Sequence, residues 1–159
     1  MVIITGASRG VGAYLFNKYE SKGEKVFGTY NLTKPKNNKE NGVYHQVNVV
    51  NYDEVENWIN EIGDLTEVTL INCAGISYNS FAHKSDVEKW KNVIDVNLIG
   101  TYNVIRAVLA HMRENNFGRI INFASVAAQK GTPGISAYSA SKAALWGLSK
   151  SIAVENASK

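Results

Sequence analysis

Tyr138 and Lys142 form a residue pair whose chemistry fits the reduction of a ketone. They lie four positions apart in Tyr-Ser-Ala-Ser-Lys, and on a helix this spacing places both side chains on one face. Hydride reduction of a ketone leaves an alkoxide that must receive a proton, and a phenol can supply it. Because a tyrosine ordinarily has a pKa of about 10, a neighbouring ammonium group is needed to favour the phenolate. In isolation, such a pair is more often an ordinary surface feature.

A glycine-rich segment near the N-terminus has the composition of a phosphate-binding loop. Gly6, Gly10 and Gly12 stand between a short apolar run and a segment with helical periodicity. Glycines at such a junction permit a tight turn, close approach of a pyrophosphate and close packing of helix on strand. The phosphates then meet free N–H groups at the helix N-terminus. The spacing differs from G-x-G-x-x-G and from a P-loop, but its place after the first strand favours a dinucleotide over a turn without a ligand.

Apolar runs alternate with helical patterns along the chain, as is typical of βαβ units. The predicted strands cover residues 2–5, 25–30, 43–48, 67–72 and 118–124. The predicted helices follow Gly10 and cover residues 55–62, 86–115 and 137–156. We expect helix 86–115 to be buried on two sides, by the sheet and by a partner subunit, because its apolar residues cover a wide arc.

This alternation predicts an α/β fold, because parallel neighbouring strands require crossover connections. With right-handed crossovers the expected architecture is a doubly wound parallel sheet of the Rossmann type, with strand order 3-2-1-4-5. We expect residues 1–159 to form a single NAD(P)-binding domain whose C-terminal strands are missing, because no sixth strand follows the last helix. The edge of strand 118–124 would then be open for pairing. The helix residues without a full set of partners would be Leu145, Trp146, Leu148 and Ile152.

The chemistry-bearing segments together resemble one family. Ser125 follows the fifth predicted strand, where its hydroxyl would reach the crevice of Tyr138 and Lys142 and bind the substrate oxygen. The glycine loop, Asn-Cys-Ala-Gly at 72–75, Asn97 in Asp-Val-Asn-Leu-Ile-Gly, Ser125 and the Tyr–Lys pair occur in the order and spacing of short-chain dehydrogenases/reductases. The resemblance extends over residues 1–156. The T-G-x3-G-x-G spacing resembles the ordinary branch, and Thr-Gly-Ala-Ser-Arg-Gly is most similar to 3-oxoacyl-(acyl-carrier-protein) reductases.

The resemblance implies a role for each matching position. Tyr138 would be the general acid/base, Lys142 would lower its pKa and bind the nicotinamide ribose, and Ser125 would polarise the carbonyl. Asn97 would complete a proton relay through water to Lys142. The implied cofactor-binding positions are Gly6, Ser8, Arg9, Gly10, Val11, Gly12, Asn31, Asn48, Val49, Asn72, Ala74, Gly75, Tyr138 and Lys142.

Two positions depart from the family pattern. Cys73 stands where the second asparagine of Asn-Asn-Ala-Gly is usual, and we interpret it as a small buried filler. Asn48 stands where an aspartate usually meets the adenine amino group, and its side-chain carbonyl keeps an acceptor for that amino group.

The residues after the second strand favour NADP(H) over NAD(H). An acid there would bind the ribose 2′-hydroxyl, whereas an arginine suits the 2′-phosphate of NADP. The strand ends Gly-Thr-Tyr-Asn without an acid, and Arg9 lies in the glycine loop. Lys34, Lys36 and Lys39 follow in the polar segment 32–42, where at least the last two also fit an ordinary solvated face.

Composition excludes several other classes. A net charge of +3 is too small and dispersed for a nucleic-acid-binding face. No stretch approaches the roughly 18 consecutive apolar residues of a membrane span. Cys73 is the single cysteine, which fits a reducing, cytoplasmic setting. The three histidines lack metal-ligand spacing, so no metal site is expected.

We therefore expect an NADP-dependent oxidoreductase acting on a ketone or secondary alcohol, with a small-molecule substrate that is either free or linked to acyl-carrier protein. A homodimer or homotetramer would form through helices 86–115 and 137–156. Two alternatives stay open. One is a non-catalytic NADP-binding module or truncated inactive fragment. The other is a nucleotide-sugar epimerase or dehydratase of the extended branch, which the glycine spacing opposes.

Overall fold

One parallel sheet forms the centre of the computed structural model, which describes residues 1–35 and 42–158. Lys36 and Lys39, which the sequence places in the polar segment, lie outside these ranges. The strands are β1 (Val2–Thr5), β2 (Val26–Tyr30), β3 (Gly42–Gln46), β4 (Thr69–Asn72) and β5 (Arg119–Asn122). Their order is β3-β2-β1-β4-β5 and all neighbouring pairs are parallel, which confirms the doubly wound order 3-2-1-4-5.

Two strands end earlier than the apolar runs in the sequence predicted. β3 ends at Gln46 and β5 at Asn122, whereas the predicted strands continue to residues 48 and 124. Val47 remains buried after the strand ends, with its N–H bonded to the Tyr30 carbonyl at 2.9 Å. Burial beyond the carboxyl end of a strand gives the same apolar pattern as the strand itself, so the sequence does not separate the two.

Six α-helices and one 3-10 turn accompany the strands within the described residues, and the last two helices follow β5. They are α1 (Gly10–Glu20), α2 (Tyr52–Ile62), the turn Ala82–Lys84, α3 (Val87–Ile94), α4 (Gly100–Glu114), α5 (Ala127–Lys130) and α6 (Ser136–Glu155). Capping explains where α2 and α3 begin, because the side chains of Asn51 and Asp86 each accept two N–H groups of the following turn. The sequence analysis missed α5, whose four residues are too few to show helical periodicity.

The helix predicted over residues 86–115 is not uniform. A π-helical segment, Asp95–Ile99, separates α3 from α4. Such wide turns occur mostly inside longer helices and often at functional sites. Here the segment carries Asn97, which is fully buried.

Apolar residues are buried on both faces of the sheet, but unequally. On one face, α2 and α4 pack against β1, β2 and β4, and Leu148 and Ile152 of α6 join this cluster. On the other face, Phe16 of α1 packs in a smaller cluster with residues of β1, β2 and β4. Leu145 is buried, so the expectation that it lacks a full set of partners is wrong, whereas Leu148 and Ile152 are only partly buried against the larger cluster.

The edge strand β5 is open on its second face. Ile121 and Phe123 are 36% and 37% exposed, whereas Ile120 packs against the larger cluster. Trp146 of α6 is 39% exposed as well. The expected apolar exposure is therefore concentrated on one face of β5 and at Trp146.

One helical run of the described residues, Val87–Glu114, meets a length and hydropathy criterion for a membrane span. Its most apolar 18-residue window has a mean hydropathy of 1.3, and 44% of that window is buried within the domain. Charged residues such as Arg106 interrupt the run, and core helices of globular proteins meet the same criterion.

Candidate active site

The glycine loop joins β1 to α1 at the carboxyl end of the sheet. Gly6 has a φ of 65°, and a Cβ atom on it would lie 2.7 Å from the Cα of Ala74. The loop is fixed to β2, because the Ala7 N–H donates to the Thr29 carbonyl at 2.7 Å. A Cβ on Gly12 would collide with the Gly6 carbonyl oxygen. A Cβ atom at either position would clash with backbone atoms, so both positions require glycine. The absence of these side chains lets the loop, α1 and the segment after β4 pack closely together.

A groove runs along this loop. Its walls come from the glycine loop, the end of β2, the residues after β3 and the segment after β4. The lining residues are Gly6, Ser8, Arg9, Gly10, Val11, Gly12, Thr29, Tyr30, Asn31, Leu32, Thr33, Val47, Val49, Cys73, Ala74, Gly75 and Ile76. Among the described residues this lining holds no carboxylate. Arg9, at the N-cap of α1, is the one cation among the described residues of this lining.

The groove continues toward α6. Arg9, Val11, Cys73, Gly75 and Ile76 also line a second stretch, whose further walls are Ser77, Asn79, Phe123, Ala124, Ile135, Tyr138 and Lys142. The glycine loop and the Tyr–Lys pair thus lie along one continuous groove at the carboxyl ends of the strands, which is the usual ligand crevice of open parallel sheets.

Lys142 is 7% exposed and lies beside Tyr138. Its Nζ is 5.8 Å from the centroid of the Tyr138 ring and donates to the Phe123 carbonyl oxygen at 2.7 Å. Burial lowers the pKa of Lys142 below its ordinary value, because a buried ammonium loses hydration. The ammonium is held at the end of β5 by a backbone acceptor and faces the phenol ring.

Asn97 does not line the groove but fixes the segment that does. Its Oδ1 accepts the Ile76 N–H at 2.8 Å, and its Nδ2 donates to the Ile76 carbonyl at 2.9 Å and to Ser141 Oγ at 3.0 Å. The same side chain therefore connects the wall after β4 with the helix that carries Tyr138 and Lys142.

Ser125 and Asn48 lie next to the groove. The lining on this side is formed by Phe123 and Ala124, and Ser125 Oγ accepts the Ala127 N–H at 3.2 Å at the start of α5. Asn48 Oδ1 accepts the Val50 N–H at 3.2 Å, while its neighbours Val47 and Val49 line the groove. The structure therefore brings Tyr138, Lys142, Arg9 and the glycines together, while Ser125 and Asn48 are sequence neighbours of residues that line the groove.

Cys73 lines the groove next to Lys142. Burial raises the pKa of its thiol to about 11, although the Lys142 ammonium acts in the opposite direction. The thiol therefore stays neutral near pH 7, which suits a small filler rather than a nucleophile.

Sequence reasoning missed Thr29, Ile76 and Phe123. Thr29 Oγ1 accepts the Gly6 N–H at 3.3 Å, and Ile76 and Phe123 act through backbone atoms. The identity of a side chain does not indicate whether the backbone carbonyl of that residue will accept a hydrogen bond. Only the place of Thr29 at the end of the second strand could have indicated it.

Comparison with known proteins agrees with this geometry. The family profile described as short chain dehydrogenase matches residues 1–159. The chain belongs to the short-chain dehydrogenase family. The acetoacetyl-CoA reductase of Shinella zoogloeoides is 34% identical over 100% of this chain and 68% of its own length. The 3-oxoacyl-(acyl-carrier-protein) reductase of Haemophilus influenzae is 32% identical over 100% of this chain and 69% of its own length.

Solved structures of short-chain dehydrogenases superpose closely on this one. The aldohexose dehydrogenase of Thermoplasma acidophilum has a TM-score of 0.87 and 33% identity over 97% of this chain. The chain covers 60% of that structure. It thus spans about two thirds of the curated relatives and somewhat less of this solved one.

Proposed function

We propose that this short-chain dehydrogenase transfers a hydride between NADP(H) and a ketone or secondary alcohol. The observation that carries the proposal is the continuous groove that joins the glycine loop to Tyr138 and Lys142. One end suits the phosphates of a dinucleotide, and the other holds a proton donor beside a cation.

The glycine end fits a dinucleotide. A Cβ on Gly6 would fill the narrow space toward Ala74, and Gly10 has a φ of 56° with open space around its Cβ position. The loop ends at the N-terminus of α1, where unpaired N–H groups favour an anion. Ser8, Arg9, Gly10 and Gly12 would hold the phosphates and the adenosine ribose, and Ala74 and Gly75 the next stretch. When bound, the reduced cofactor supplies the hydride to the carbonyl carbon.

The protein's own part of the reaction is proton transfer at the carbonyl oxygen. The Tyr138 phenol would donate its proton to the oxygen as the new C–H bond forms, and would take it back during alcohol oxidation. The Lys142 ammonium would favour the phenolate. Ser125 would donate its O–H to the same oxygen, which it can do while its Oγ accepts the Ala127 N–H. Asn97 would hold the Ile76 wall and, in the family's relay, connect water to Lys142.

Charge in the groove favours NADP(H) over NAD(H). An acid beside the ribose would repel a 2′-phosphate, and the described lining holds none. Arg9 offers a guanidinium that suits phosphate oxygens. Asn31, at the end of β2, would contact the ribose side of the cofactor.

Two relatives suggest the substrate class. The names of the Shinella and Haemophilus proteins describe reduction of a 3-oxoacyl group carried on coenzyme A or on acyl-carrier protein. We propose such a 3-oxoacyl thioester as the substrate here. A reaction that uses cellular NADPH, together with the single cysteine, fits a cytoplasmic setting.

We further propose self-association through the helical surfaces of residues 86–115 and 137–156. Exposed apolar residues on these segments include Val87, Ile99, Tyr102, Trp146 and Val154. Trp146→Gln should lower the oligomeric state of the chain, as measured by analytical ultracentrifugation. A monomeric parent chain would contradict the proposal.

The experiment that tests the reaction is ketone-dependent NADPH oxidation, with acetoacetyl-CoA as the ketone, in the parent chain and in Tyr138→Phe. Because the phenol acts on the oxygen and not on the cofactor, kcat should fall about 10²- to 10⁴-fold while NADPH affinity stays largely intact. Tyr102→Phe on the exposed side of α4 is the matched control. A Phe variant that keeps more than about half of kcat would show that Tyr138 is not the acid.

Two further measurements, combined with this assay, separate the two alternatives. NADPH fluorescence on binding without any ketone-dependent oxidation would favour a non-catalytic module. Turnover of a nucleotide sugar without net cofactor consumption would favour an epimerase.

A further inference from the structure

A chain of side-chain hydrogen bonds crosses the sheet behind the groove. Thr5 Oγ1 donates to Asn72 Oδ1 at 3.5 Å, and Asn72 Nδ2 donates to Asn122 Oδ1 at 2.9 Å. Asn122 Nδ2 then donates to Ser149 Oγ of α6 at 2.9 Å. Thr5, Asn72 and Asn122 are register partners on β1, β4 and β5. We call these four residues the cross-sheet chain.

The cross-sheet chain connects the two functional ends of the groove. At its first end, Thr5 precedes Gly6 and its Oγ1 accepts the Ala74 N–H at 3.1 Å. At its last end, Ser149 lies on α6, seven residues after Lys142, and residues seven apart share a helix face. The glycine loop and the helix with Tyr138 and Lys142 are therefore connected through two amide side chains, of which Asn72 is buried and Asn122 is half-buried.

Helix α6 has a second polar attachment two turns earlier. Ser141 Oγ accepts from Asn97 Nδ2 at 3.0 Å and donates to the Tyr138 carbonyl at 2.8 Å. Between the two attachments, Leu145 is buried. Apolar packing alone tolerates small rotations of a helix, whereas two directional bonds at separate turns define its rotation about its axis.

We propose that Asn122 and Ser149 are positioning residues, which hold α6 in the rotation that turns Tyr138 and Lys142 into the groove. The inference rests on the proposed reductase function, because its purpose is the placement of Tyr138. Asn122 acts through Ser149, and neither residue touches the reacting atoms. Both Asn122 amide atoms are used in this arrangement, so the loss of Ser149 Oγ leaves its NH₂ group without that acceptor.

The test compares three variants on one helix. Ser149→Ala removes the hydroxyl, Ser149→Thr keeps it, and Ser151→Ala changes an exposed serine two residues away. Since a misplacement of about 1 Å can cost about 10²-fold in rate, Ser149→Ala should lower kcat for acetoacetyl-CoA about 10-fold or more. KM should stay within about two-fold, because Ser149 does not line the groove. The NADPH dissociation constant should change less than kcat, because the glycine loop would still hold the phosphates. Ser149→Thr should recover most of kcat, and Ser151→Ala should match the parent chain.

A second readout does not depend on activity. Trp90 Nε1 donates to Ser136 Oγ at the first residue of α6, at 3.0 Å. Ser136 and Ser149 are thirteen residues apart, about 20 Å along a helix. The indole N–H signal of Trp90 in a ¹⁵N–¹H spectrum, assigned with Trp90→Phe, should therefore shift in Ser149→Ala only if α6 moves as a unit.

The outcomes separate this inference from the proposed function. A parent chain without ketone reduction would refute the proposed function, while the Trp90 signal would still report on α6. A lower melting temperature with unchanged kcat and an unchanged Trp90 signal would overturn the positioning role, because Ser149 would then contribute only to stability. An equal loss of kcat in Ser151→Ala would overturn it too.

Discussion

The two ends of the groove differ in the kind of atoms that form their surfaces. At the glycine end, backbone forms the surface, and the shape depends on Gly6 and Gly12 having no Cβ. At the α6 end, side chains form the surface, and Lys142 is held by a distant partner, the Phe123 carbonyl. Both ends have tertiary contacts, but the glycine end has a local signal in the sequence, the glycines themselves, whereas the backbone acceptor of Lys142 has none.

This difference predicts two kinds of sensitivity to mutation. Changes at the glycine end should act through space and backbone strain, and should affect stability and cofactor binding together. Changes at the α6 end should act through position and charge, and should affect rate or pH dependence while the fold stays intact. Three substitutions sharpen the comparison.

The largest effect is expected for Gly6→Ala. Its Cβ would lie 2.7 Å from the Ala74 Cα, and φ is 65°. Left-handed backbone costs about 1–2 kcal/mol for a residue with a Cβ, and an overpacked contact typically adds about 1–3 kcal/mol. Urea unfolding should therefore show a loss of about 2–5 kcal/mol, with NADPH binding lost in parallel.

Gly10→Ala is the matched control for Gly6→Ala. Gly10 has a similar φ of 56°, but no atom of the described residues lies within 4 Å of its Cβ position. Only the strain of about 1–2 kcal/mol applies. Equal losses for the two variants would mean that backbone strain alone, and not the contact with Ala74, makes Gly6 necessary.

The sequence alone was sufficient to predict which glycines line one end of the groove and the order of the strands. Gly6, Gly10 and Gly12 follow a strand directly, and their spacing is local information. Parallel order follows from alternating patterns and the handedness of crossovers. Tyr138 and Lys142 were also found, because their four-residue spacing on a helix is local.

The partners at the α6 end were not predictable in the same way. Lys142 bonds to a backbone carbonyl nineteen residues away, and Asn97 bonds to the Ile76 backbone. Any residue offers a carbonyl, so no residue type identifies these acceptors. The π-helical segment around Asn97 also lacks a sequence signal, because its apolar spacing continues that of α3 and α4.

A smaller effect is expected for Arg9→Ala, at the border between the two ends. Only NADPH offers a 2′-phosphate to the guanidinium, and hydrogen bonds to charged groups contribute about 1.5–3 kcal/mol. Fluorescence titration should show NADPH binding about 10- to 100-fold weaker, with NADH much less affected. Lys18→Ala, on the exposed side of α1, is the control. Equal losses for both cofactors would mean that Arg9 shapes the loop and does not select the phosphate.

The smallest effect is expected in the pH dependence of stability at Lys142. Burial lowers the pKa of Lys142 in the folded chain, while the unfolded chain keeps the ordinary lysine value of about 10.4. Between these two values the unfolded state binds more protons, so the free energy of unfolding rises with pH. The penalty for burying the charged amine is present in full below the folded pKa and disappears as pH approaches the unfolded value.

Lys142→Met removes this titration and leaves the Phe123 carbonyl without its donor, an effect that does not depend on pH. The free energy of unfolding of the parent chain minus that of Lys142→Met should therefore increase from neutral to alkaline pH. Because burial raises the pKa of Cys73 to about 11, measurements up to about pH 10 keep that thiol largely neutral. Lys150→Met, at an exposed position of α6, should give a difference that stays flat over the same range. A flat or falling difference for Lys142→Met would mean that the ammonium stays hydrated in the folded chain, and the α6 end would then be less enclosed than its contacts indicate.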